Sequence, residues 1–562
     1  MCYIILTIGS LPVNRPMIDL PLHERVVPRV LRLAAEARPE QPFLLHGDER
    51  WSYADVELLS TRLARGLARW GATRGARVAL LLDNSPAFVI TLFACAKTGA
   101  LNVPLNTAAR GELLRYYLAD ADCTHVVVQD AYVDQLLDAW PGFDRPIAVL
   151  RSPSPAARAA AARPHRGPLW DDLLDDGESA RAVALGAEPA AWDPWLILYT
   201  SGTTGPSKGS VCPHAQGLTI GRTQSRRMSL GPDDRLYTCL PLFHGNALNY
   251  STITALWARA TVALETRFSA RRFWSDIHRY RATQFNAMMV VTSILEKLPV
   301  TPEERDNPVR IAALVPPPAN RRQLEQRWGL SIVSQYALSE ACPVAVLGPG
   351  EAYDKPRTSG RLSEALDVRI VDENDVEVPR GIPGEIVLRT REPWTMFSGY
   401  YGKPEATLAA FRNLWFHTGD RAFVDEDGYL TFVDRVKDAI RRRGENISAY
   451  EIETLLKGHE AIVEAAAVPV PAELGEDEVA VYIVRADGTL TERAVVEYAI
   501  RTMAYYMVPR YVAFVDDLPK TPSQKIAKHV LRERARDGYR AMWDREAAGL
   551  LVDRFSAANR AS

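Results

Sequence analysis

A short polar segment in the middle of the chain has the residue types that bind phosphate. Between Tyr199 and Gly209 the sequence is YTSGTTGPSKG, after an apolar run at 195–198 that predicts a buried strand. Glycines let the backbone approach a ligand closely, while hydroxyls, N–H groups and the Lys208 amino group bind phosphate oxygens. A Walker A loop has Ser or Thr directly after its lysine, whereas Gly209 follows here. The segment predicts a phosphate-binding loop of another class, with a plain surface loop as the alternative.

Two further groups of polar residues follow β-type runs. Tyr336, Ser339 and Glu340 come after the run at 330–333. An aromatic ring beside a carboxylate at a strand end can stack on a base and bind a divalent cation. Asp420 follows a glycine and can accept hydrogen bonds from both hydroxyls of a ribose. Each group alone is as typical of an ordinary turn, so the prediction depends on their occurring together.

Length and composition restrict the class of protein. A chain of 562 residues is too long for one hydrophobic core, so about two to four folding units are expected. The formal net charge of −2 provides no basic surface for nucleic acid. The six cysteines lack CxxC spacing and predict reduced thiols in a cytoplasmic protein. No apolar run reaches the roughly 20 residues that span a bilayer. Either Met1 or Met17 can be the start of translation.

The order of the predicted elements indicates an α/β protein. Strand-like and helical runs alternate in the first part of the chain, which predicts βαβ units and a largely parallel sheet. Between residues 358 and 434 short β-type runs dominate and predict a small barrel or an added sheet. A shorter α+β pattern follows to the carboxyl end. The first predicted helices are at 22–37, 87–98 and 112–121, and the first predicted strands are at 77–82, 101–105 and 124–128.

Five segments resemble, in order, the motifs of the adenylate-forming superfamily of acyl-CoA synthetases, luciferases and peptide-synthetase adenylation domains. They are the loop before Gly209, the Tyr336 and Asp420 motifs, a long segment at 434–453, and a segment around Lys525. The resemblance implies a large amino-terminal domain, residues 1–434, of layered αβ sheets with a small β-barrel-like part. It also implies a smaller, mobile α+β carboxyl-terminal domain, residues 435–562.

The resemblance implies an acid–CoA ligase that uses ATP, Mg²⁺ and coenzyme A. A carboxylic acid and ATP would give acyl-AMP and pyrophosphate, and the thiol of coenzyme A would then give acyl-CoA and AMP. The implied partners are small molecules, and monomer and homodimer both remain open. Loading of a carrier protein, a luciferase-type oxygenase and a non-catalytic nucleotide-binding relic are the alternatives, although no positive feature favours the oxygenase.

The resemblance also implies roles for individual residues. Lys525 would supply positive charge for adenylation, with His244 at the gate of the acyl pocket and Glu340 as the magnesium ligand. Lys437 would be the hinge, and Gly444 would line the coenzyme A tunnel. The implied nucleotide-binding residues are Thr200, Ser201, Gly202, Thr203, Thr204, Gly205, Lys208, Tyr336, Ser339, Asp420 and Arg435.

The acyl pocket is predicted from Asn246, Asn286 and Met288. Asn286, with Met288 and Met289, suggests an apolar pocket with one polar handle. The segments around residues 106–110 and Asn286 are closest to the carnitine/crotonobetaine and long-chain branches. The chain departs from the family in the prolines at 316–318, which replace a Gly/Ala-rich turn and remove N–H donors. The purine edge or the acyl pocket is therefore expected to be contacted differently. Lys528 is the rival of Lys525, with a spacing from the preceding proline that fits the family less well.

Overall fold

The computed structural model describes residues 20–152, 167–174, 183–200, 207–435, 439–442, 445–472, 477–503, 507–521, 525–550 and 552. Several predicted site residues lie outside these ranges, namely Ser201, Gly202, Thr203, Thr204, Gly205, Lys437 and Gly444. The alternative starts at Met1 and Met17 lie outside them as well.

The strands of the described residues belong to four sheets. In chain order they are β1 (Pro42–His46), β2 (Glu49–Ser52), β3 (Arg77–Leu81), β4 (Leu101–Pro104), β5 (His125–Gln129), β6 (Ile147–Leu150), β7 (Pro194–Tyr199), β8 (Gly209–Pro213), β9 (Arg235–Thr238), β10 (Thr261–Leu264), β11 (Gln284–Met288), β12 (Ile311–Val315), β13 (Ser331–Tyr336), β14 (Ala345–Leu347), β15 (Gly360–Leu362), β16 (Leu366–Val371), β17 (Gly384–Thr390), β18 (Phe416–Val424), β19 (Tyr429–Arg435), β20 (Ala439–Arg442), β21 (Glu445–Ser448), β22 (Ile462–Pro471), β23 (Asp477–Arg485), β24 (Tyr511–Phe514) and β25 (Trp543–Asp544).

The α-helices cover the faces of these sheets or lie between them. They are Val27–Ala37, Tyr53–Arg69, Pro86–Thr98, Gly111–Asp120, Val133–Ala139, Trp170–Leu173, His214–Arg227, Thr254–Ala258, Phe273–Tyr280, Met289–Lys297, Pro302–Arg305, Arg321–Trp328, Pro404–Ala410, Ala449–Leu456, Glu492–Thr502 and Lys528–Gly538, and Asn246–Ile253 is a π-helix. None of the helices in the described ranges is long and apolar enough to cross a membrane.

The predicted parallel sheet forms the core of the amino-terminal part. Strands β6, β5, β3, β4 and β7 are parallel neighbours, and β8 closes this sheet antiparallel to β7. The strands are apolar along most of their length because both faces of the sheet are covered. Helix Pro86–Thr98 is buried on every side, and its core cluster also includes residues of the larger sheet. The α/β class and the alternation of elements are thus confirmed.

The larger sheet changes character along its length. Strands β13, β12, β11, β9, β10 and β1 are parallel, whereas β14 to β19 are joined antiparallel. The β-rich region predicted after residue 358 therefore extends an existing sheet, by way of β14 and β15. Helices are sparse in this region, as predicted, because hairpin connections need only short turns.

The carboxyl-terminal region has its own hydrophobic core. Strands β22 to β25 form a four-stranded sheet, and β20 and β21 form a separate hairpin. Helices Ala449–Leu456 and Glu492–Thr502 contribute apolar residues to one buried cluster with β22 and β23. A separate core is what an independently folding unit requires.

One helix prediction needs correction at the amino-terminal end. The helix predicted over 22–37 begins only at Val27, after a single 3₁₀ turn, Leu22–Glu24, and an extended Val26. Pro28 lies in the first turn of the helix, where its missing N–H costs nothing. A continuous helix from residue 22 would instead need that N–H for a hydrogen bond.

Candidate active site

The predicted phosphate loop joins the two strands of a β-hairpin. Tyr199 pairs with Gly209 at the end of the β7–β8 ladder, and the Thr200 N–H donates to the Lys208 carbonyl over 3.0 Å. Thr200 and Lys208 therefore stand at the neck of the loop, whose tip lies outside the described residues. A strand–loop–strand arrangement differs from the strand–loop–helix of a Walker A site.

A tyrosine that the sequence analysis overlooked connects the hairpin to Glu340. The Lys208 ammonium lies 4.7 Å from the centre of the Tyr400 ring. The Tyr400 hydroxyl donates a hydrogen bond to Glu340 Oε1 over 3.0 Å. Two predicted ligand-binding side chains are thereby brought together by a residue from a third, distant segment. The only hint in the sequence is an aromatic pair at 400–401 between two glycines.

The Tyr336 and Asp420 motifs meet, as the prediction of one site requires. The Tyr336 hydroxyl donates to Asp420 Oδ2 over 2.7 Å, and its ring stacks on Phe432 at a centroid distance of 6.1 Å. Gly419 has a φ of 70°, a left-handed conformation that glycine adopts without strain. The β18–β19 register pairs Asp420 with Arg435. A carboxylate beside an aromatic ring suits a ribose and its base.

Ser339 is positioned through its backbone. Its carbonyl accepts a hydrogen bond of 3.0 Å from the Gln216 side chain, on helix His214–Arg227 just after the hairpin. The carbonyl of the next residue, Glu340, accepts from the Phe397 N–H over 2.8 Å. Both ends of this two-residue segment are thus fixed, so the Glu340 carboxylate has a defined starting position beside the hairpin.

The carboxyl-terminal lysine lies within electrostatic range of the histidine predicted at the acyl gate. Lys525 is exposed and is held by a local turn, in which the Thr521 hydroxyl accepts from the Lys525 N–H over 3.1 Å. Burial of His244, and secondarily the positive charge of Lys525, lowers the pKa of His244 to about 4. His244 is therefore neutral near pH 7, so it does not repel the positive charge of the lysine.

The rival lysine has a structural partner. Lys528 Nζ lies 2.7 Å from the buried carboxylate of Glu453, within the carboxyl-terminal region. A buried carboxylate needs such a countercharge, because removal of one partner from a buried ion pair is strongly destabilising. The contact accounts for Lys528 without any role at the ligand, which favours Lys525 as the functional residue.

Of the predicted acyl residues, Asn246 begins the π-helix Asn246–Ile253, and Asn286 and Met288 lie on β11. The π-helix is an irregular form that is frequent at functional sites. Asn246 Nδ2 lies 3.4 Å from Met288 Sδ, so these two residues share one surface. The interpretation of Asn286 as a polar handle is wrong. Its amide nitrogen donates to the Tyr250 carbonyl and the Ser251 hydroxyl, and its oxygen accepts from Gln284. Asn286 is 3% exposed and serves to fix the π-helix to β11.

Other polar atoms of the π-helix differ from those of Asn286 in their hydrogen bonding. Asn246 Oδ1 and Asn249 Oδ1 are buried and have no hydrogen-bond partner among the residues that the structure describes. The same is true of Trp195 Nε1 on β7. A Cβ atom on Gly217 would lie 3.5 Å from Asn249 Oδ1 and 3.8 Å from Trp195 Nε1, so one donor and one acceptor face the same small space.

The prolines at 316–318 follow β12 directly, and the Val315–Pro316 peptide bond is cis. Val315 is the register partner of Met288 on β11, which brings this turn to the same strand ends as the acyl residues. The expectation that the prolines alter contacts near the acyl pocket is therefore compatible with their position.

The side chains of the site fit a magnesium ion that is bound jointly by the protein and a nucleotide. They fit a metal site built from protein ligands alone less well. Within the described part of the chain, no group of three His, Cys, Asp or Glu side chains could hold a metal ion. Mg²⁺ commonly binds through one or two carboxylates together with substrate phosphates. Glu340, beside the phosphate hairpin, could be that carboxylate.

Comparisons with known proteins cover both regions of the chain. A model of the AMP-binding enzyme family matches residues 31–401, and a model of the AMP-binding enzyme C-terminal domain matches residues 451–525. The long-chain-fatty-acid–CoA ligase FadD13 of Mycobacterium tuberculosis is 31% identical, over 86% of this chain and 93% of the relative. A crotonobetaine/carnitine–CoA ligase of Salmonella paratyphi A is 29% identical over the same shares.

Solved structures agree on the fold. ATP-bound MatB from Rhodopseudomonas palustris is similar with a TM-score of 0.79 at 26% identity, and covers 91% of this chain and 99% of its own. The anthranilate–CoA ligase AuaEII in complex with anthranoyl-AMP is similar in fold, with a TM-score of 0.80 at 23% identity over 92% and 98%. The match includes both the large sheets and the smaller carboxyl-terminal region.

Proposed function

We propose the reaction of this chain from the premise that it belongs to the AMP-binding enzyme family and is an acid–thiol ligase. In the first step, a carboxylate oxygen attacks the α-phosphorus of ATP, giving an acyl adenylate and pyrophosphate. In the second step, the thiol of coenzyme A attacks the acyl carbon, and AMP leaves. The adenylate makes the carboxyl carbon electrophilic, which the free carboxylate is not.

One observation carries the proposal: Lys525 of the carboxyl-terminal region lies close enough to His244 for its charge to contribute to the lowered pKa of that partly buried histidine. Two anions must approach each other in the first step, so fixed positive charge is needed where they meet. Lys525 would supply it from one side and Lys208 from the other. Asp420 and Tyr336 would orient the ribose and base. Magnesium, when bound at Glu340 and the phosphates, would supply further positive charge.

The second step needs a different set of groups around the same adenylate. We propose that residues 435–562 rotate about Lys437, which withdraws Lys525 and brings Gly444 to the tunnel for coenzyme A. The separate hydrophobic core of the carboxyl-terminal region supports such a movement, because the unit can move without exposing its interior.

For the acid, we propose a class with a hydrogen-bonding group on its acyl chain. Buried polar atoms without partners cost about 1–3 kcal/mol each, and a plain alkyl chain would leave them unpaired. Asn246 and Asn249 supply two such oxygens among the described residues, directly after His244. The relatives include ligases for a long-chain fatty acid and for crotonobetaine or carnitine, and the polar atoms favour an acid of the second kind.

Acid-dependent ATP–pyrophosphate exchange without coenzyme A tests the proposal. The panel should pair acids of equal length with and without a hydroxyl or amino group on the chain. Exchange is expected with at least one acid, and the substituted member of a pair should be preferred. If the protein binds ATP but shows no ATP–pyrophosphate exchange with any acid of a broad panel, the result would favour a non-catalytic nucleotide-binding relic. Exchange that prefers the plain acids would retain the ligase and reject the acid class.

A further inference from the structure

Residues 396–401, here called the strap, connect two parts of the nucleotide site that are far apart in sequence. At one end, Met396 is bridged to Ala341, and the Phe397 N–H donates to the Glu340 carbonyl over 2.8 Å. At the other end, the strap pairs with β8 of the phosphate hairpin. Its bonds there are Ser398 N–H to the Val211 carbonyl at 2.7 Å, Val211 N–H to the Gly399 carbonyl at 3.0 Å, and Tyr401 N–H to the Gly209 carbonyl at 2.8 Å.

The side chain of Tyr400 extends this connection to the functional groups themselves. Its hydroxyl donates to Glu340 Oε1 at 3.0 Å, while its ring face carries the Lys208 ammonium at 4.7 Å. A cation over a tyrosine ring is attracted to the negative face of the ring. One side chain thus contacts both the proposed magnesium ligand and the proposed phosphate clamp.

The protonation state of Tyr400 is suited to both contacts. A phenol is protonated near pH 7 because its ordinary pKa is about 10. The phenol therefore remains protonated and can donate to the carboxylate. The Tyr400 hydroxyl holds the Glu340 carboxylate, and the face of its ring holds the Lys208 ammonium group. Both charged groups therefore have a partner before any ligand binds.

The neighbouring anchors fix the strap on its other side. Lys403, just beyond the strap, forms an ion pair with Asp120, and the Tyr199 hydroxyl donates to the same carboxylate at 2.9 Å. Tyr199 immediately precedes the phosphate loop, so the strap is tied to both strands of the hairpin. Tyr400 consequently has little freedom to turn away from Glu340 and Lys208.

We propose that Tyr400 is a positioning residue that aligns the Glu340 carboxylate with Lys208 before the nucleotide binds. The inference rests on the proposed function in assigning magnesium to Glu340 and the phosphates of ATP to Lys208. Groups that orient a metal ligand from behind typically change metal affinity by about 10- to 100-fold when they are removed. The hydrogen bond acts on Glu340, whereas the ring contact acts on Lys208. Two substitutions can therefore separate the two effects.

The first test is Tyr400→Phe, which keeps the ring and removes the hydroxyl. The readout is the Mg²⁺ concentration that half-saturates the rise in melting temperature caused by ATP, with no acid present. We expect this concentration to increase by about 10-fold or more. Tyr401→Phe is the matched control, since its ring packs against the hydrophobic cluster behind β7 and β8. An identical Mg²⁺ titration for Tyr400→Phe and the wild type would overturn the proposal.

The second test is Tyr400→Leu, which removes the ring as well. ATP affinity measured by calorimetry in the presence of a chelator reports on Lys208 without magnesium. We expect it to weaken by roughly 2- to 5-fold in Tyr400→Leu and to remain unchanged in Tyr400→Phe. Equal magnesium-free affinity in all three proteins would reject the role toward Lys208.

The outcome of these titrations does not depend on whether the proposed reaction is correct. They use no acid and no thiol, so the absence of ATP–pyrophosphate exchange in the wild type would leave their outcome standing. Conversely, normal exchange with an unaltered magnesium titration in Tyr400→Phe would retain the ligase and reject Tyr400 as a positioning residue.

Discussion

The two sides of the active site are held in different ways. On the amino-terminal side, Lys208, Glu340 and Asp420 are reached through β-ladders, the strap and side-chain hydrogen bonds. The hydrogen bonds of Tyr336 with Asp420 and of Tyr400 with Glu340 join residues 84 and 60 positions apart. On the other side, Lys525 is exposed and stands in a local turn with Thr521. The first side is held by many contacts within the large sheets, whereas the second presents one charge from a unit with its own hydrophobic core. Such a difference suits a site in which the amino-terminal side keeps its place while the carboxyl-terminal side moves between adenylation and thiolation.

The largest effect is expected from Lys525→Ala, because it removes the only contribution that we assign to the second side in the first step. We expect ATP–pyrophosphate exchange to fall by about 100- to 1,000-fold, the usual loss when a preorganised transition-state contact is removed. Lys520→Ala is the control, since Lys520 is paired with Glu464 within the carboxyl-terminal region. Exchange that survives in Lys525→Ala but fails in Lys520→Ala would place the critical charge elsewhere.

A smaller effect is expected from the preorganised side. Asp420→Asn removes the charge that accepts from Tyr336 and, in the proposed complex, from the ribose. Hydrogen bonds to charged groups contribute about 1.5–3 kcal/mol, so we expect the KM for ATP to rise by roughly 10- to 100-fold. Asp425→Asn, whose carboxylate pairs with Lys355 at the far end of β18, should leave the KM unchanged. The ribose assignment would be wrong if the two variants shared the same KM.

The sequence predicted the family and the α/β class, because each motif is local and keeps its order. It did not predict Tyr400, since the strap reaches Glu340 and Lys208 only through pairing that no local pattern reveals. It also misjudged Asn286. An asparagine beside methionines looks like a handle in an apolar pocket, but three hydrogen bonds within the fold use its amide. Buried atoms without a partner among the described residues, such as Asn249 Oδ1, are revealed by the three-dimensional structure and not by a local sequence pattern.

Asn249→Leu sharpens the contrast between these two asparagines. The amide oxygen of Asn249 has no hydrogen-bond partner in the described structure. The substitution should therefore leave the free energy of unfolding unchanged or raise it by about 1 kcal/mol. Selectivity for the hydroxyl- or amino-substituted acid of a pair should fall by about 10-fold. Asn286→Leu should instead lower stability, as it breaks three bonds. Unchanged acid selectivity in Asn249→Leu would remove this residue from the acyl site.

The smallest effect concerns His244, at the boundary between the two sides. Its pKa is lowered from 6.5 to about 4 on folding, so the unfolded chain binds a proton there that the folded chain does not. Stability should therefore fall as the pH drops from about 6.5 to 4, with a contribution of at most about 1.4 kcal/mol per pH unit.

Urea denaturation of His244→Gln across this pH range should show a shallower decline than the wild type. The buried His214, whose pKa burial lowers to about 3, contributes a dependence of the same sign in both proteins. A decline of equal steepness in the two proteins would show that His244 takes up a proton equally well in the folded state.

The division of labour between the two sides is tested most directly by thiolation in Lys525→Ala. The variant should be given a chemically prepared acyl adenylate together with coenzyme A, and formation of the thioester should be followed in a single turnover. The rate is predicted to stay within about threefold of the wild type, although exchange in the same variant is reduced by about 100-fold or more. Equal losses in both half-reactions would contradict the account, because Lys525 would then be needed throughout and would have no reason to leave.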